Sequence, residues 1–544
     1  MGLASHLNQG LHDFNIRRAE FAEIIVSLYE VATGREIGGR TTFADTNNAY
    51  IEKAAYLGAI TGVGNNRASP HTNVTREQAA VMLSRLASTI GIVLPMQTPD
   101  FHDNTSISVW ALEAVGQMQA ANLIVPLADG TFGPDEYFTH AQAAAAALWL
   151  YDIYTLGFRR VVADLSVQRL TDEQLAEKVE NGSIPADVTH LNLRMNQISD
   201  ISPLATLTHL VLLDLGTNRI DDLSPLASLT NLYSLSLSSN PATDLSPLTY
   251  LDGLTELFVT HNRFTSALPI SNLVNLTTLH FGYNPSFSGN LQFLEPLTNL
   301  EFLSVACSGG RLFGFDVIGS LVNLQGLAIQ GSRRLTDISF IDNLTNLTSL
   351  ILTGATSVDD FSPVSRQYGL TYLNMSFNRM SDLTPLGLEG LTNLTHLILS
   401  HNSIVDISSL SNLIYLTDLQ LGSNYIADIS VIGYLTNLTV LSLRGNHITD
   451  ITPLGGLNEL LFLYLENNQI TDIAIVSGLT NLIHLDISNN KITTIPPLTE
   501  LRRLSSINLN NNQITDITPF ADMERLRFLD LVGNNITDVI RLAI

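Results

Sequence analysis

The stretch LTNLTHLILSHNSIVDISSLSN, residues 391–412, contains a skeleton that recurs through about two thirds of the chain. Aligned on its LxLxxN core, the sequence has asparagine at Asn196, Asn218, Asn240, Asn262, Asn284, Asn378, Asn402, Asn424, Asn446, Asn468, Asn490, Asn512 and Asn534, with Ser308, Ser332 and Ala355 in the same place. The spacing is 22 residues over most of the array and 23 or 24 between Asn284 and Asn402. Sixteen units at this period predict a solenoid.

Each unit has the pattern of a short strand followed by a sharp turn. Leu397 and Leu399 alternate with Ile398 and Ser400, which predicts a strand with one buried face, paired in parallel with its neighbours. We expect the recurrent asparagine amide to satisfy backbone groups at the strand exit. The return path reads DISPL (Asp200 to Leu204), typical of an Asp-capped 3₁₀ or helical turn with proline early. Each unit can bury its leucines only against its neighbours.

These units resemble leucine-rich repeats, and their DIxPLxxLTNLxxL form is similar to that of bacterial internalins over about residues 185–544. Leu170 to Leu193 resembles a shortened internalin-type helical cap, with Leu175 and Val179 facing the first coil. The resemblance implies a curved parallel sheet of about 16 repeats with 3₁₀ or short helices on the convex side. Internalin-like proteins usually continue into an immunoglobulin-like domain. We therefore expect a truncated chain, unless Val539 to Ile544 form a minimal cap.

Composition narrows the choice of compartment and partner. The chain has 544 residues and a net charge of −24, with 10 Lys and Arg against 15 Asp and Glu in residues 1–160 and 17 against 36 beyond. Such a surface repels phosphate backbones, so we expect no nucleic-acid partner.

No apolar run is long enough for a membrane span, and the N-terminus as given lacks a secretory signal. The single cysteine, Cys307, excludes internal disulfides; packing or a free thiol are both open.

Residues 1–160 have a different, alanine-rich helical texture. Three segments begin at a capping-type position and continue as apolar helices, namely IRRAEFAEIIVSL (16–28), VTREQAAVMLSRL (74–86) and FTHAQAAAAALWL (138–150). Two are preceded by a matching half that starts at Phe43 or Phe101, and ADGTFGP (128–134) precedes the third. These segments resemble S-layer homology repeats over about residues 15–155.

This resemblance implies a pseudo-threefold helical module that docks noncovalently in secondary cell-wall polysaccharide, typically pyruvylated. Matching residue by residue, the candidate polysaccharide-binding residues are Arg18, Arg76, Asp45, Asp103 and Trp110. A guanidinium at a helix N-terminus suits a ketal carboxylate. The chain departs from the pattern in three places: His140 replaces the third arginine, NNRASP replaces DGTFxP, and the first repeat lacks its FxD half. The alternative is that these arginines only brace the helices.

On the sheet face, the positions flanking the strand leucines carry rings with interspersed acids. Large amphipathic rings on a rigid sheet are what protein-binding hot spots need, although isolated surface aromatics are ordinary. The middle units present small residues there, so we expect a protein partner on the C-terminal half, around Tyr372 to Phe528. The candidate residues for protein binding are Phe258, His280, Tyr372, His396, Phe462, Tyr464, His484 and Phe528.

No catalytic motif is present, which predicts a protein that is not an enzyme and has no cofactor. His396 and His401 share a unit but lack a completing carboxylate, so we expect no metal site. Imidazoles beside acids could charge below about pH 6.5, which would make binding pH-sensitive.

Together these observations predict three segments: an S-layer homology module (1–160), a helical cap (161–190) and a leucine-rich array (191–544). We expect an extracellular protein on a Gram-positive cell surface, anchored to wall polysaccharide and presenting its array to a host or neighbouring-cell protein. The alternatives are a structural component of the S-layer envelope and an intracellular leucine-rich scaffold. The exposed residues do not name the ligand.

Overall fold

The computed structural model describes residues 15–121, 123–127, 129–156, 161–287, 289–306, 312–521, 523 and 525–537. Cys307 and the proposed cap at Val539 to Ile544 lie outside these residues. The chain divides into two compact units, one of residues 1–162 with 188–190 and one of residues 163–187 with 191–544.

The first unit is helical. Its helices are α1 (Arg18–Thr33), α2 (Ala49–Tyr56), α3 (Arg76–Thr89), α4 (Leu112–Ala120) and α5 (His140–Leu156), with a 3₁₀ turn at Asn104–Ser106. Helix α3 begins with the capping box that its sequence predicts: the Thr75 hydroxyl accepts from the Gln78 amide, and the Gln78 side chain accepts from the Thr75 amide.

The residues just before α1, α3 and α5 join in a closed ring of backbone hydrogen bonds. The amide of Ile16 donates to the Phe138 carbonyl at 2.8 Å, Val74 donates to Ile16 at 2.9 Å, and Phe138 donates to Val74 at 2.8 Å. All three side chains are buried. Three equivalent positions thus meet at one centre, which gives the module its threefold arrangement.

The second unit begins with a cap. Strand β1 (Val162–Asp164) pairs with the first repeat strand, and helix α6 (Asp172–Glu180) follows it. Thr171 caps α6 in a capping box with Gln174, and Leu175 is fully buried. The helix agrees with the sequence prediction, whereas the added strand was not predicted.

The sixteen predicted repeat strands are all present and follow β1 in one 17-stranded sheet. Neighbouring strands pair in parallel and in register, so that Leu397, Leu419 and Leu441 form one buried ladder. The strands are β2 (His190–Asn192), β3 (Leu212–Asp214), β4 (Ser234–Ser236), β5 (Glu256–Phe258), β6 (Thr278–Gly282), β7 (Phe302–Ala306), β8 (Gly326–Gln330), β9 (Ser349–Thr353), β10 (Tyr372–Asn374), β11 (His396–Ile398), β12 (Asp418–Gln420), β13 (Val440–Ser442), β14 (Phe462–Tyr464), β15 (His484–Asp486), β16 (Ser506–Asn508) and β17 (Phe528–Asp530). Strands β6–β9 have five residues each and are the longest of the described strands.

Short 3₁₀ turns form the return path, as predicted. Asp200 Oδ1 accepts from the Ser202 amide at 2.8 Å, and Pro203 follows in the first turn. The 3₁₀ segments of the array are Ser202–Thr206, Ser224–Ser228, Ser246–Tyr250, Leu268–Asn272, Leu291–Leu294, Phe315–Ser320, Ser339–Asn343, Ser362–Arg366, Thr384–Leu386, Leu388–Gly390, Ser408–Leu410, Ser430–Tyr434, Thr452–Gly456, Ala474–Gly478 and Thr518–Phe520.

The asparagine ladder also forms as predicted. Asn424 Nδ2 donates to the carbonyls of Leu421 in its own unit and Leu399 in the preceding one, at 3.0 and 3.1 Å. Its Oδ1 accepts from the Ile404 amide at 3.0 Å. Asn424 therefore ties two consecutive turns together inside the array.

Candidate binding surfaces

Arg76 is the first residue of α3, and its side chain turns into the module. It is 1% exposed; Nε donates to the Phe132 carbonyl at 2.6 Å and Nη2 to the Val125 carbonyl at 2.7 Å. The guanidinium carbon lies 5.2 Å from the centre of the Phe132 ring. Asp103 accepts from the amides of Phe132 and Gly133 at 2.6 and 2.8 Å. Arg76 and Asp103 thus hold the two sides of the TFGP loop.

Arg18, on α1, makes the same arrangement with a different loop sequence. It is 4% exposed; Nε donates to the Ala68 carbonyl at 2.9 Å and Nη2 to Thr61 at 2.8 Å. Asp45 accepts from the amides of Ala68 and Ser69 at 2.7 and 2.9 Å, and these hydrogen bonds lower its pKa. The NNRASP segment therefore folds as the TFGP loop does, because the contacts use backbone atoms.

The geometry gives these four residues a bracing role. Burial lowers the pKa of both guanidiniums, and each donates two hydrogen bonds to carbonyls inside the module. A sugar-binding role for Arg18, Arg76, Asp45 and Asp103 stays a prediction. Trp110 differs from them, because its side chain is 58% exposed and open to a ligand.

At the third helix start, His140 is 7% exposed and lies beside a carboxylate instead of a loop carbonyl. Its Nε2 is 3.4 Å from Glu20 Oε2, and the same oxygen accepts from the Arg17 amide at 2.7 Å. The imidazole and the amide lower the pKa of Glu20 despite its burial. The start of α5 is thus joined to α1 by the polar contact between His140 and Glu20.

On the concave face of the array, the predicted rings meet in pairs from neighbouring strands. Phe258 and His280 stack with ring centres 4.8 Å apart, Tyr372 and His396 lie 5.9 Å apart, and Tyr464 and His484 lie 5.1 Å apart. The two remaining candidates lie elsewhere on the C-terminal half of this face. Phe462 is half-buried in register between Val440 and His484, and Phe528 is 53% exposed on the last strand.

The prediction that the imidazoles charge near pH 6.5 needs correction for three of them. Burial between neighbouring side chains lowers the pKa of His280 to about 4, and it also lowers the pKa of His484 and His401. Removing a cation from water is costly, so the neutral ring is favoured. His280 is therefore neutral near pH 7, and the shifts of His484 and His401 favour the neutral ring as well.

One carboxylate on this face has a raised pKa. Asp418 lies on the same face, next to His396 and Val440 in the sheet register. Burial raises its pKa to about 6, and the hydrogen bond that Gln420 Nε2 donates at 2.7 Å offsets this only in part. Burial also raises the pKa of Glu466, whose Oε2 is buried and lacks a hydrogen-bond partner among the described residues.

A second row of rings, at the strand exits, was missed by the sequence interpretation. Phe377 and His401 stack with centres 4.3 Å apart, and His261 and Tyr283 stack at 4.6 Å. All four residues have positive φ, between 51° and 62°, and immediately precede the ladder position. The sequence carried a signal for this row. The residues that immediately precede the ladder asparagine occupy the same position in every unit, so they line up along one edge of the sheet.

Within the described ranges, no three His, Cys, Asp or Glu side chains are grouped so that they could hold a metal ion. Among the same residues, no helix combines the length and the apolarity needed to cross a bilayer.

The fold and these surfaces agree with two known families. The profile of the S-layer homology domain matches residues 44–80 and 100–144. The profile described as leucine-rich repeats in two copies matches residues 188–228, 392–434, 436–479 and 480–522, and a further leucine-rich repeat profile matches 525–544. The chain is therefore a leucine-rich-repeat protein with S-layer homology repeats at its N-terminal end.

Individual relatives refine this classification. The chain is 30% identical to an internalin, inlF of Listeria monocytogenes, over 68% of its own length and 92% of that chain, with a TM-score of 0.41. It is 37% identical to internalin inlC2 of the same organism over 33% of its length and 79% of that chain, with a TM-score of 0.32. By this sequence identity, the array belongs to the internalin-like leucine-rich repeats.

A curated relative matches a different part. An endoglucanase of Bacillus sp. (strain KSM-635) is 36% identical over 115 residues, which are 20% of this chain and 12% of that enzyme. The chain thus spans about an eighth of the enzyme, in its S-layer homology region. S-layer homology repeats suggest attachment to the cell wall, and leucine-rich arrays of this kind are typical of non-enzymatic binding proteins.

Proposed function

We propose that this protein is held noncovalently on a Gram-positive cell wall and binds another protein with the C-terminal half of its concave face. In this proposal residues 1–160 bind the secondary wall polysaccharide, including pyruvylated forms. Residues 161–190 cap the array, and residues 191–544 form the receptor. The partner is a protein of a host or a neighbouring cell.

The observation that carries the protein-binding part is a pair of desolvated carboxylates beside aromatic rings. Asp418 and Glu466 form no ion pair within the described residues, and burial raises the pKa of both. Arg444 acts on Glu466 and lowers its pKa, but this effect does not outweigh burial. A partly buried charge without a close ion-pair partner is costly. Burial raises the pKa of the Tyr464 hydroxyl, and the nearby carboxylates of Glu466, Asp486 and Asp418 raise it further. A lysine or arginine of the partner would supply the missing charge, and the rings would anchor its stem.

Retention on purified cell-wall sacculi tests the anchoring part. The full chain and a chain lacking residues 1–160 are incubated with sacculi before and after removal of the secondary polysaccharide. We expect retention only of the full chain and only when the polysaccharide is present. Equal retention on stripped sacculi, or retention of the shortened chain, would contradict the proposal. Self-association without any wall requirement would instead favour the structural-envelope alternative.

A peptide array of random sequences, probed with the labelled full chain at pH 7.5, tests the receptor part. We expect bound peptides to be enriched in Lys or Arg flanked by apolar residues, and Glu466→Gln to lose this preference. Asp214→Asn, a carboxylate on the same face at the N-terminal end, is the matched control and is expected to keep it. A preference unchanged in Glu466→Gln would refute the site.

A further inference from the structure

A cleft opens on the strand-exit edge near the N-terminal end of the array, away from the acidic concave patch. Its volume is about 480 Å³, in the range of small-ligand sites. The lining side chains that matter are Arg219, Arg263, His261, Tyr283, Ser239 and Pro241.

The cleft exists because one unit carries short side chains where its neighbours carry long ones. Ser239 and Pro241 flank the ladder asparagine of the central unit, whereas the units on either side place Arg219 and Arg263 at the proline position. The asparagine ladder is also broken here. Asn262 is 2% exposed, and its Oδ1 has no partner among the described residues, although the equivalent oxygen of Asn240 accepts from Ile220 at 3.0 Å.

The cleft is cationic on an otherwise acidic array. Arg219 and Arg263 are exposed, and neither forms an ion pair within the described residues. They lie two units apart, which at the strand spacing of a sheet is about 10 Å. Arg219 helps to lower the pKa of Asp172, whose carboxylate also accepts hydrogen bonds from the amides of Ser199 and Asp200. Arginine forks of this kind match carboxylate and sulfate groups.

One wall of the cleft is a flat, fixed pair of rings. His261 and Tyr283 stack at 4.6 Å with their planes 20° apart. The Tyr283 hydroxyl donates to Gln330 Oε1 at 3.1 Å, which holds the ring in place. Tyr283 remains 40% exposed, so an amphipathic ring face is available to a ligand.

We propose that this cleft binds a sugar residue that bears a carboxylate or a sulfate. The guanidiniums would bind the anionic group, the ring pair would contact the apolar face of the sugar, and the Ser239 hydroxyl would bind a sugar hydroxyl. An acidic peptide side chain satisfies the arginines, but it has no ring to cover the Tyr283 wall. The observations therefore favour a glycan over a peptide.

Calorimetric titration of the full chain tests this proposal with four probes: a hyaluronan tetrasaccharide (carboxylate), a heparin tetrasaccharide (sulfate), chitotetraose (neutral) and tetraglutamate. We expect at least one acidic tetrasaccharide to bind, with chitotetraose and tetraglutamate failing. The two acidic probes separate the carboxylate source from the sulfate source. Arg219→Gln and Arg263→Gln should each weaken binding about tenfold or more, and Tyr283→Ala should weaken it several-fold.

Lys491→Gln is the matched control. Lys491 also follows a ladder asparagine, and its amide donates to Ile470 as that of Arg219 donates to Ile198, but its side chain does not line this cleft. Binding should be unchanged in this variant, and all variants should keep the wild-type unfolding midpoint. Absence of binding to both acidic sugars would overturn the proposal. So would equal loss in Lys491→Gln, or binding of tetraglutamate alone, which would make the cleft a peptide site.

Discussion

Replacing one ladder asparagine should destabilise the array by an amount that depends on what its oxygen holds. In Asn424→Ala, the carbonyls of Leu399 and Leu421 each keep a second amide donor, from Asn402 and Asn446. The buried Ile404 amide, in contrast, loses the oxygen it donates to. An orphaned buried N–H costs about 1–3 kcal/mol, and each redundant hydrogen bond about 0.5–1 kcal/mol. We expect a total loss of about 3 kcal/mol.

Asn262→Ala is the matched control at the same ladder position. Both asparagines are buried, at 4% and 2% exposure, but Asn262 Oδ1 accepts no hydrogen bond within the described residues. Its Nδ2 donates to carbonyls of Leu237 and Thr260, and these keep other donors. The substitution therefore orphans no backbone group. We expect it to cost about 1 kcal/mol.

Urea unfolding of both variants measures the total loss, and hydrogen exchange followed by mass spectrometry over residues 399–410 measures the local one. The Ile404 segment should exchange faster in Asn424→Ala, because repeat arrays are stabilised through neighbouring units. Equal losses in the two variants would refute the reasoning, since they would mean that the amide oxygen contributes nothing. A change in the slope of the urea curve would indicate partial unfolding. In that case the two variants would be compared by their hydrogen exchange alone.

Three further predictions follow from single residues. The pKa of Asp418 is raised to about 6 in the folded chain from an ordinary value of 3.8. The folded chain therefore binds this proton more tightly than the unfolded chain does, and the free energy of unfolding falls as pH rises from 3.8 to about 6. Asp418→Asn should gain about 2 kcal/mol at pH 7.5 and nothing at pH 3.5 in urea unfolding; a gain at both would refute the assignment. Arg76→Met should lower the stability of the helical module by about 3 kcal/mol or more, because the carbonyls of Phe132 and Val125 lose a buried donor. Limited proteolysis should then cleave the chain faster between residues 125 and 133. Unchanged cleavage would argue against a bracing role for Arg76. Trp110→Ala should weaken retention on sacculi about fivefold with an unchanged unfolding midpoint, since the ring is 58% exposed; a shifted midpoint would point to a structural role instead.

Much of the array follows from the sequence because its interactions repeat locally. The period of 22 residues indicates parallel strands, and the alternation around Leu397 indicates which face is buried. The asparagine ladder and the Asp-capped turns follow as well, because each involves the same unit or the next one. The helix starts at Thr75 and Thr171 are equally local signals.

Other features depend on residues that the fold brings together from afar. Arg76 faces inward because its partner carbonyl at Phe132 lies 56 positions later in the chain, and no local pattern distinguishes a guanidinium facing a loop from one facing solvent. The pairing of strand β1 with the array has the same origin.

The sequence by itself determined the repeat, the strand face, the ladder and the candidate rings on it. Only the tertiary structure decided which charges those rings leave desolvated, and where short side chains open a cleft between long ones. The physical reason is that the burial of a side chain and its distance to other groups depend on the residues of the adjoining units. The repeated pattern, in contrast, can be recognised within each unit. Asp418 and Arg219 therefore acquire their character from the adjoining turns.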